Sequence, residues 1–153
     1  MHSIRTRHGR DLIAPETFDR LTGRLTGDHE LDSNTAERVV DQAAAFLAAC
    51  AATSAPLAPS AAVDLGWHAF ILHTRDYAAF CETVAGGFIH HVPHEEPTAE
   101  EDKATVQAVL DQTMAAIRAA GMWVDEELWR VDVGVKCSQC HNGCADDPPP
   151  DRA

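Results

Sequence analysis

Residues 60–87 read SAAVDLGWHAFILHTRDYAAFCETVAGG, and their apolar positions recur at helical spacing. The apolar side chains that carry this pattern are Val63, Leu65, Trp67, Phe70, Ile71, Tyr77, Phe80, Cys81 and Val84. Gly86 and Gly87 end the stretch, since adjacent glycines interrupt helices. The pattern predicts a helical segment in the middle of the chain.

Two helices are predicted before this segment. The first covers Pro15–Leu25, because a proline is acceptable in the first turn of a helix. In the second, Asn34 and Glu37 have the spacing of a capping box, and an apolar stripe follows from Val39 to Cys50. Residues 53–60 contain two prolines and are predicted to form a connector.

Further helical patterns follow the central segment. Thr98 and Glu101 form a second capping-box spacing ahead of a helix over Ala104–Ala120. Gly121 stands where the end of that helix needs left-handed backbone geometry. Asp125–Arg130 is predicted to form one or two further helical turns.

The fold class predicted from these patterns is all-α. We expect a small bundle of about five helices, with an irregular His-rich loop over Phe88–Pro97 and a Cys-rich C-terminal tail. Residues 1–144 are expected to form a single helical metal-binding domain. Residues 145–153 are acidic and proline-rich, and are expected to form a disordered tail.

The charge of the chain excludes some classes of partner. Lys and Arg total 12 against 24 for Asp and Glu, which gives a formal net charge of −12. Such a chain is a poor binder of nucleic acid and of anionic membrane surfaces, because both are recognised through Lys and Arg. No signal peptide or long apolar run is visible, so we expect a cytoplasmic protein whose cysteines serve as metal ligands or redox thiols rather than in disulfides.

Residues 64–94 concentrate side chains that can bind a metal. The histidines and cysteine in this range are His68, His73, Cys81, His90, His91 and His94. On a helix Asp64 and His68 share one face, and His73, Tyr77 and Cys81 share another. Since a straight helix rotates His68 by roughly 220° from Cys81, the two sets converge only if the chain bends, and we expect that bend near Thr74.

The predicted ligand set for a metal is His68, Cys81 and His91. Zinc favours tetrahedral nitrogen and sulfur donors, so one thiolate and two imidazoles suit it. Three protein ligands leave a fourth position for water, and the metal lowers the pKa of that water. His94 is a further candidate ligand from the same loop, while roles for His73 and His90 stay open.

Asp64 and Tyr77 are the candidate catalytic residues beside this set. Asp64 lies one turn before His68 and is expected to orient its imidazole. Tyr77 either hydrogen-bonds a bound substrate or caps the core. The competing interpretation is that Trp67, His68, Tyr77 and Cys81 are ordinary core residues, since cysteine is among the most buried residue types.

Six positions of this stretch follow the motif of a known family. They are Asp64, Trp67, His68, Tyr77, Cys81 and His91. They resemble the Asp-x-x-Trp-His-x-His motif, the later Tyr and Cys, and the Phe-Ile-Asp-His of the glycine-rich domain-containing protein-like family. Phe70 and His90 replace the second His and the last Asp of that motif. The resemblance covers Leu57–His94. It implies a helical domain and says little about any chemical activity.

A second cluster lies near the C-terminus, where Cys137, Cys140, His141 and Cys144 fall within eight residues. Three thiolates and an imidazole can hold one zinc ion or complete a site elsewhere. A redox dithiol is the second interpretation, although the usual βαβ context is missing. The third is a flexible tail whose thiols bind metal adventitiously.

Together these patterns lead to three hypotheses for function. The first is a small metal-binding protein with a structural, adaptor or accessory role. The second is a zinc-dependent hydrolase or lyase that acts on a small-molecule or peptide substrate, and the third is a thiol redox accessory protein. Zinc is the expected metal, with iron or copper as alternatives, and a protein partner is expected if there is no substrate.

Overall fold

The computed structural model describes residues 5–91 and 103–131 of the chain. Five α-helices are found there: α1 (Pro15–His29), α2 (Ser33–Ala52), α3 (Ala61–Leu72), α4 (Thr74–Ala85) and α5 (Lys103–Ala119). Two short 3-10 turns cover Gly9–Leu12 and Glu126–Trp129, and the described residues contain no β-strand. The predicted all-α class is confirmed.

Parts of the sequence prediction lie outside the described residues. These are the second half of the His-rich loop, the Thr98–Glu101 capping box and the Cys-rich tail. The expected division into residues 1–144 and 145–153 depends on the same regions and stays a prediction. Within the described residues, no helix combines the length and apolar character that crossing a membrane requires.

Helix α2 forms the centre of the bundle and packs against the four other helices and the first 3-10 turn. Alanines make up much of its buried surface, and small side chains allow neighbouring helices to approach closely. Gly66 of α3 shows how close this approach is. A Cβ atom at Gly66 would lie only 2.9 Å from Cγ1 of Val39. The contact fixes α3, which carries part of the candidate site, directly on α2.

The predicted start of α2 is wrong by two residues. The Asp32 side chain caps this helix, with its carboxylate accepting a hydrogen bond from the Thr35 backbone N–H at 2.7 Å. That hydrogen bond lowers the pKa of Asp32. Asn34 instead lies inside the first turn, so it cannot act as the N-cap. Asp and Asn are about equally good N-caps, so the residue types alone do not decide between them.

The expected bend in the central segment is confirmed. Helix α3 ends at Leu72 and α4 begins at Thr74, with His73 between them at φ −89° and ψ 69°, outside helical geometry. The His73 backbone N–H donates to the Phe70 carbonyl. Gly86 ends α4 in the left-handed conformation at φ 70°, which confirms the helix end predicted there. The chain then turns back along α4 towards α3.

Candidate metal centre

Three side chains that can bind a metal meet where α3 faces the segment after α4. They are Asp64, His68 and His91, and one potential ligand atom from each lies within 4.8 Å of the others. His91 Nε2 is 2.8 Å from Asp64 Oδ1, and His68 Nε2 is 3.7 Å from Asp64 Oδ2. The two imidazole rings meet edge to face, with centroids 4.4 Å apart. The carboxylate thus contacts both histidines.

Helix α3 supplies two of these three side chains. Asp64 and His68 are four residues apart and therefore share one face of the helix, as the sequence predicts. The Asp64 side chain is 17% exposed and the His68 side chain 39% exposed. The close contact of Gly66 with α2 fixes the backbone between them. The exposed part of His68 is not its Nε2 atom, which faces Asp64 and is buried.

His91 reaches the group from an extended segment after α4. In residues 88–91 exposed and partly buried side chains alternate, so Phe88 and His90 face outwards while Ile89 and His91 face inwards. The His91 side chain is 11% exposed. The centroid of its ring lies 4.3 Å from that of the Trp67 ring. The bend at His73 and the reversal at Gly86 bring this segment back to α3.

The spacing of the three groups suits a small metal ion. In a tetrahedral site with ligand bonds of about 2.1 Å, the ligand atoms lie about 3.4 Å from one another. One ligand atom of each residue lies within 4.8 Å of the others, so small side-chain rotations would bring them to that spacing. Two imidazoles and one carboxylate are ligands for zinc, and also form the triad that non-haem iron proteins use.

The structure does not bring Cys81 into this group. Cys81 is fully buried, and its thiol contacts the Tyr77 hydroxyl. Burial raises the pKa of Tyr77, so that hydroxyl keeps its proton at neutral pH. Tyr77 donates a hydrogen bond to the Ile89 carbonyl and accepts one from Trp67 Nε1. Among the described residues, the side chain that lies beside His68 and His91 is thus Asp64, and not Cys81 as the sequence predicted.

Other candidate ligands lie elsewhere or outside the described residues. His73 Nδ1 lies 3.0 Å from the Ala69 carbonyl, at the break between α3 and α4. The His90 ring packs against Phe88 on the outer side of its segment. Those that the structure does not describe are His94, Cys137, Cys140, His141 and Cys144. Their roles as ligands stay predictions.

Asp64 as a candidate ligand in its own right is what sequence reasoning missed. The signal was present, because a carboxylate four residues before a histidine can reach the same metal as that histidine. The sequence prediction assigned Asp64 to orienting His68. In the structure the Asp64 carboxylate contacts His91 at 2.8 Å as well as His68 at 3.7 Å, so its contacts extend beyond the one histidine considered from the sequence.

The fold and this site together define a class: a small all-α bundle with a histidine–carboxylate group between α3 and the segment that follows α4. The chain belongs to the UCP032817-like family, whose match covers residues 12–115. The matched range includes all three residues of the candidate metal centre, and the family description names no activity. No curated protein and no solved structure matches the chain.

This family match overturns the resemblance to the glycine-rich domain-containing protein-like family. The departure at Phe70 has a structural reason. Phe70 is almost fully buried and packs against Tyr77 and Phe80, so the position of the second motif histidine is a core position here. The shared Trp, Tyr and Cys are buried as well, and such residues recur wherever helices need a core.

Proposed function

We propose that this protein binds a divalent transition metal through Asp64, His68 and His91, with zinc as the first candidate. The observation that carries the proposal is the convergence of three ligand atoms from two separate parts of the chain. The proposal includes the cytoplasmic location expected from the sequence.

The role that we propose for the metal is structural, within an adaptor or accessory protein. A metal at this position joins α3 to the segment after α4, since Asp64 and His68 lie on α3 and His91 beyond α4. A ligand that binds only the folded state stabilises it, by about 4 kcal/mol at a thousand-fold excess over its dissociation constant. Chelation is therefore expected to lower the melting temperature.

The decisive experiment compares His91→Ala with His90→Ala, since these adjacent histidines face opposite ways. Both full-length variants are purified without chelator, and their zinc, iron and copper contents are measured. We expect His91→Ala to hold about one equivalent less metal than His90→Ala. Equal metal content in the two variants, or a wild type without any of these metals, would contradict the proposal.

A zinc-dependent hydrolase or lyase is the second candidate function. It is supported by the count of three candidate ligands, because a catalytic zinc ion has three protein ligands and an open position for water. Cobalt-substituted protein would distinguish the two roles. Absorption bands that change on addition of azide or acetohydroxamate indicate an open site, whereas unchanged bands indicate the closed site of a structural metal.

The thiol redox hypothesis has less support among the described residues. Cys81 is fully buried, and burial raises the pKa of Cys50 to about 11, so both thiols are poorly suited to react at neutral pH. This hypothesis therefore depends on the cysteines of the tail, which only the sequence describes.

A further inference from the structure

The candidate metal centre receives its three side chains from two supports of different rigidity. Asp64 and His68 stand on one helix, so the helix backbone fixes their spacing. His91 stands on a segment without helical hydrogen bonds. Its imidazole can therefore meet the other two only if something else fixes residues 88–91.

Tyr77 provides a fixed point for this segment. Its hydroxyl is fully buried and donates a hydrogen bond to the carbonyl of Ile89, two residues before His91. The same hydroxyl accepts a hydrogen bond from Trp67 Nε1 at 2.9 Å. A buried hydroxyl that loses its partner costs about 1–3 kcal/mol, so the position of the Ile89 carbonyl is strongly constrained.

Trp67 provides a second contact with the segment. It directly precedes His68 on α3, and its ring lies edge to face against His91 with centroids 4.3 Å apart. Trp67 therefore contacts the His91 ring and also holds the Tyr77 hydroxyl. The Phe88 ring packs on Tyr77 from the other end of the segment.

We propose that Tyr77 and Trp67 are positioning residues for the metal centre, a proposal that rests on the proposed function. They hold the main chain at Ile89, and this places His91 Nε2 beside Asp64 before any metal arrives. Groups that orient a metal ligand typically contribute 10–100-fold to metal affinity. Tyr77 acts through the main chain, so its contribution is expected near the lower end of that range.

The test uses Tyr77→Phe in the full-length chain, with Co²⁺ as the probe. Phenylalanine keeps the ring contacts with Phe70 and Phe88 and removes only the hydroxyl. We expect Co²⁺ to bind roughly 10-fold more weakly, measured by competition with a chelator, and its visible absorption bands to change with the altered ligand geometry.

Thr113→Val is the matched control. Thr113 also carries a fully buried hydroxyl, which accepts from the Ala58 N–H and donates to the Val109 carbonyl. It lies on α5, which supplies none of the three residues of the metal centre. We expect this variant to lower the melting temperature while the affinity for Co²⁺ and the absorption bands stay unchanged.

The possible outcomes separate this inference from the proposed function. If the wild type binds no Co²⁺, the proposed function fails and the inference fails with it. If the wild type binds but Tyr77→Phe has the same affinity and spectrum, only the positioning role is overturned. If Tyr77→Phe does not fold, Trp67→Phe replaces it, since it removes the N–H donor and keeps a ring beside His91. Unchanged binding in that variant also overturns the positioning role.

Discussion

Asp64 contacts both histidines of the candidate metal centre, one through each carboxylate oxygen. This matters for charge as well as for geometry. Two neutral imidazoles and one carboxylate leave a bound divalent cation with a net charge of about +1. Among the three candidate ligands, Asp64 is therefore the one that would offset part of the charge of a bound metal.

We expect Asp64→Asn to weaken Zn²⁺ binding by more than about 100-fold. Loss of a residue that only contacts a ligand typically costs 10–100-fold, and here the substitution removes the charge of a proposed direct ligand. Asp76→Asn is the control, since Asp76 on α4 instead accepts a hydrogen bond from Arg20 at 2.7 Å. Competition titrations with a zinc chelator measure both affinities. A similar, small loss in the two variants would show that Asp64 is not a ligand.

The choice between Cys81 and Asp64 could not be made from sequence. Spacing correctly places Cys81 on the face of Tyr77, and it places Asp64 on the face of His68. Spacing does not say which of these faces meets the returning segment with His91. That depends on the angle between α3 and α4 and on packing, which puts the Tyr77 face into the core.

At the scale of elements, the break between α3 and α4 was expected near Thr74 and is found there, but the reason for expecting it was wrong. The bend was inferred from a convergence of His68 and Cys81, and Cys81 lies in the core instead. The start of α2 was placed two residues too late. Asp32 and Asn34 are both good caps, so the residue types do not decide between them. The backbone leaves α1 in a left-handed conformation at Glu30, and α2 begins three residues later at Ser33.

The approach of α3 to α2 leads to a prediction on two helical glycines. Gly66→Ala places a methyl group against Val39 and Ala43, and we expect the free energy of unfolding to fall by about 1–3 kcal/mol. Gly23→Ala is the control, because a Cβ on that α1 glycine meets nothing within 4 Å.

We expect Gly23→Ala to raise the free energy of unfolding by roughly 0.5–1 kcal/mol, since alanine is the better helix former. Urea denaturation of both variants measures the difference. If Gly66→Ala stabilises the protein as much as Gly23→Ala does, α3 and α2 are further apart than the structure indicates.

At the scale of the whole molecule, the two ends of the described chain meet on α2. Arg7 and Trp123 pair through their backbones, and Arg38 of α2 binds Asp125 with two hydrogen bonds of 2.6 and 2.9 Å. The fully buried Gln42 accepts from the Asp125 N–H and from Trp129 Nε1. Contacts between residues more than 80 positions apart leave no periodic signal, so the sequence did not reveal this network.

Gln42→Leu is expected to lower the free energy of unfolding by about 3 kcal/mol, because it leaves the Asp125 N–H and the Trp129 indole N–H unpaired in the interior. Gln112→Leu on the exposed side of α5 is the control and should change it by less than about 0.5 kcal/mol. Thermal unfolding monitored by circular dichroism provides the measurement. If Gln42→Leu and Gln112→Leu have equal melting temperatures, the hydrogen bonds of Gln42 do not stabilise the contact between the two ends of the described chain.

The metal content of the whole chain tests whether the tail predicted from the sequence carries a second site. We expect about two equivalents in the wild type and about one after combined replacement of Cys137, Cys140 and Cys144 by serine. Adding His91→Ala to that triple variant should remove the remaining equivalent, because the two sites share no residue.

A triple variant with the full wild-type content would exclude the tail cysteines as stoichiometric ligands. If the wild type holds only one equivalent of metal and the triple variant binds that metal more weakly, the tail cysteines complete the central site instead.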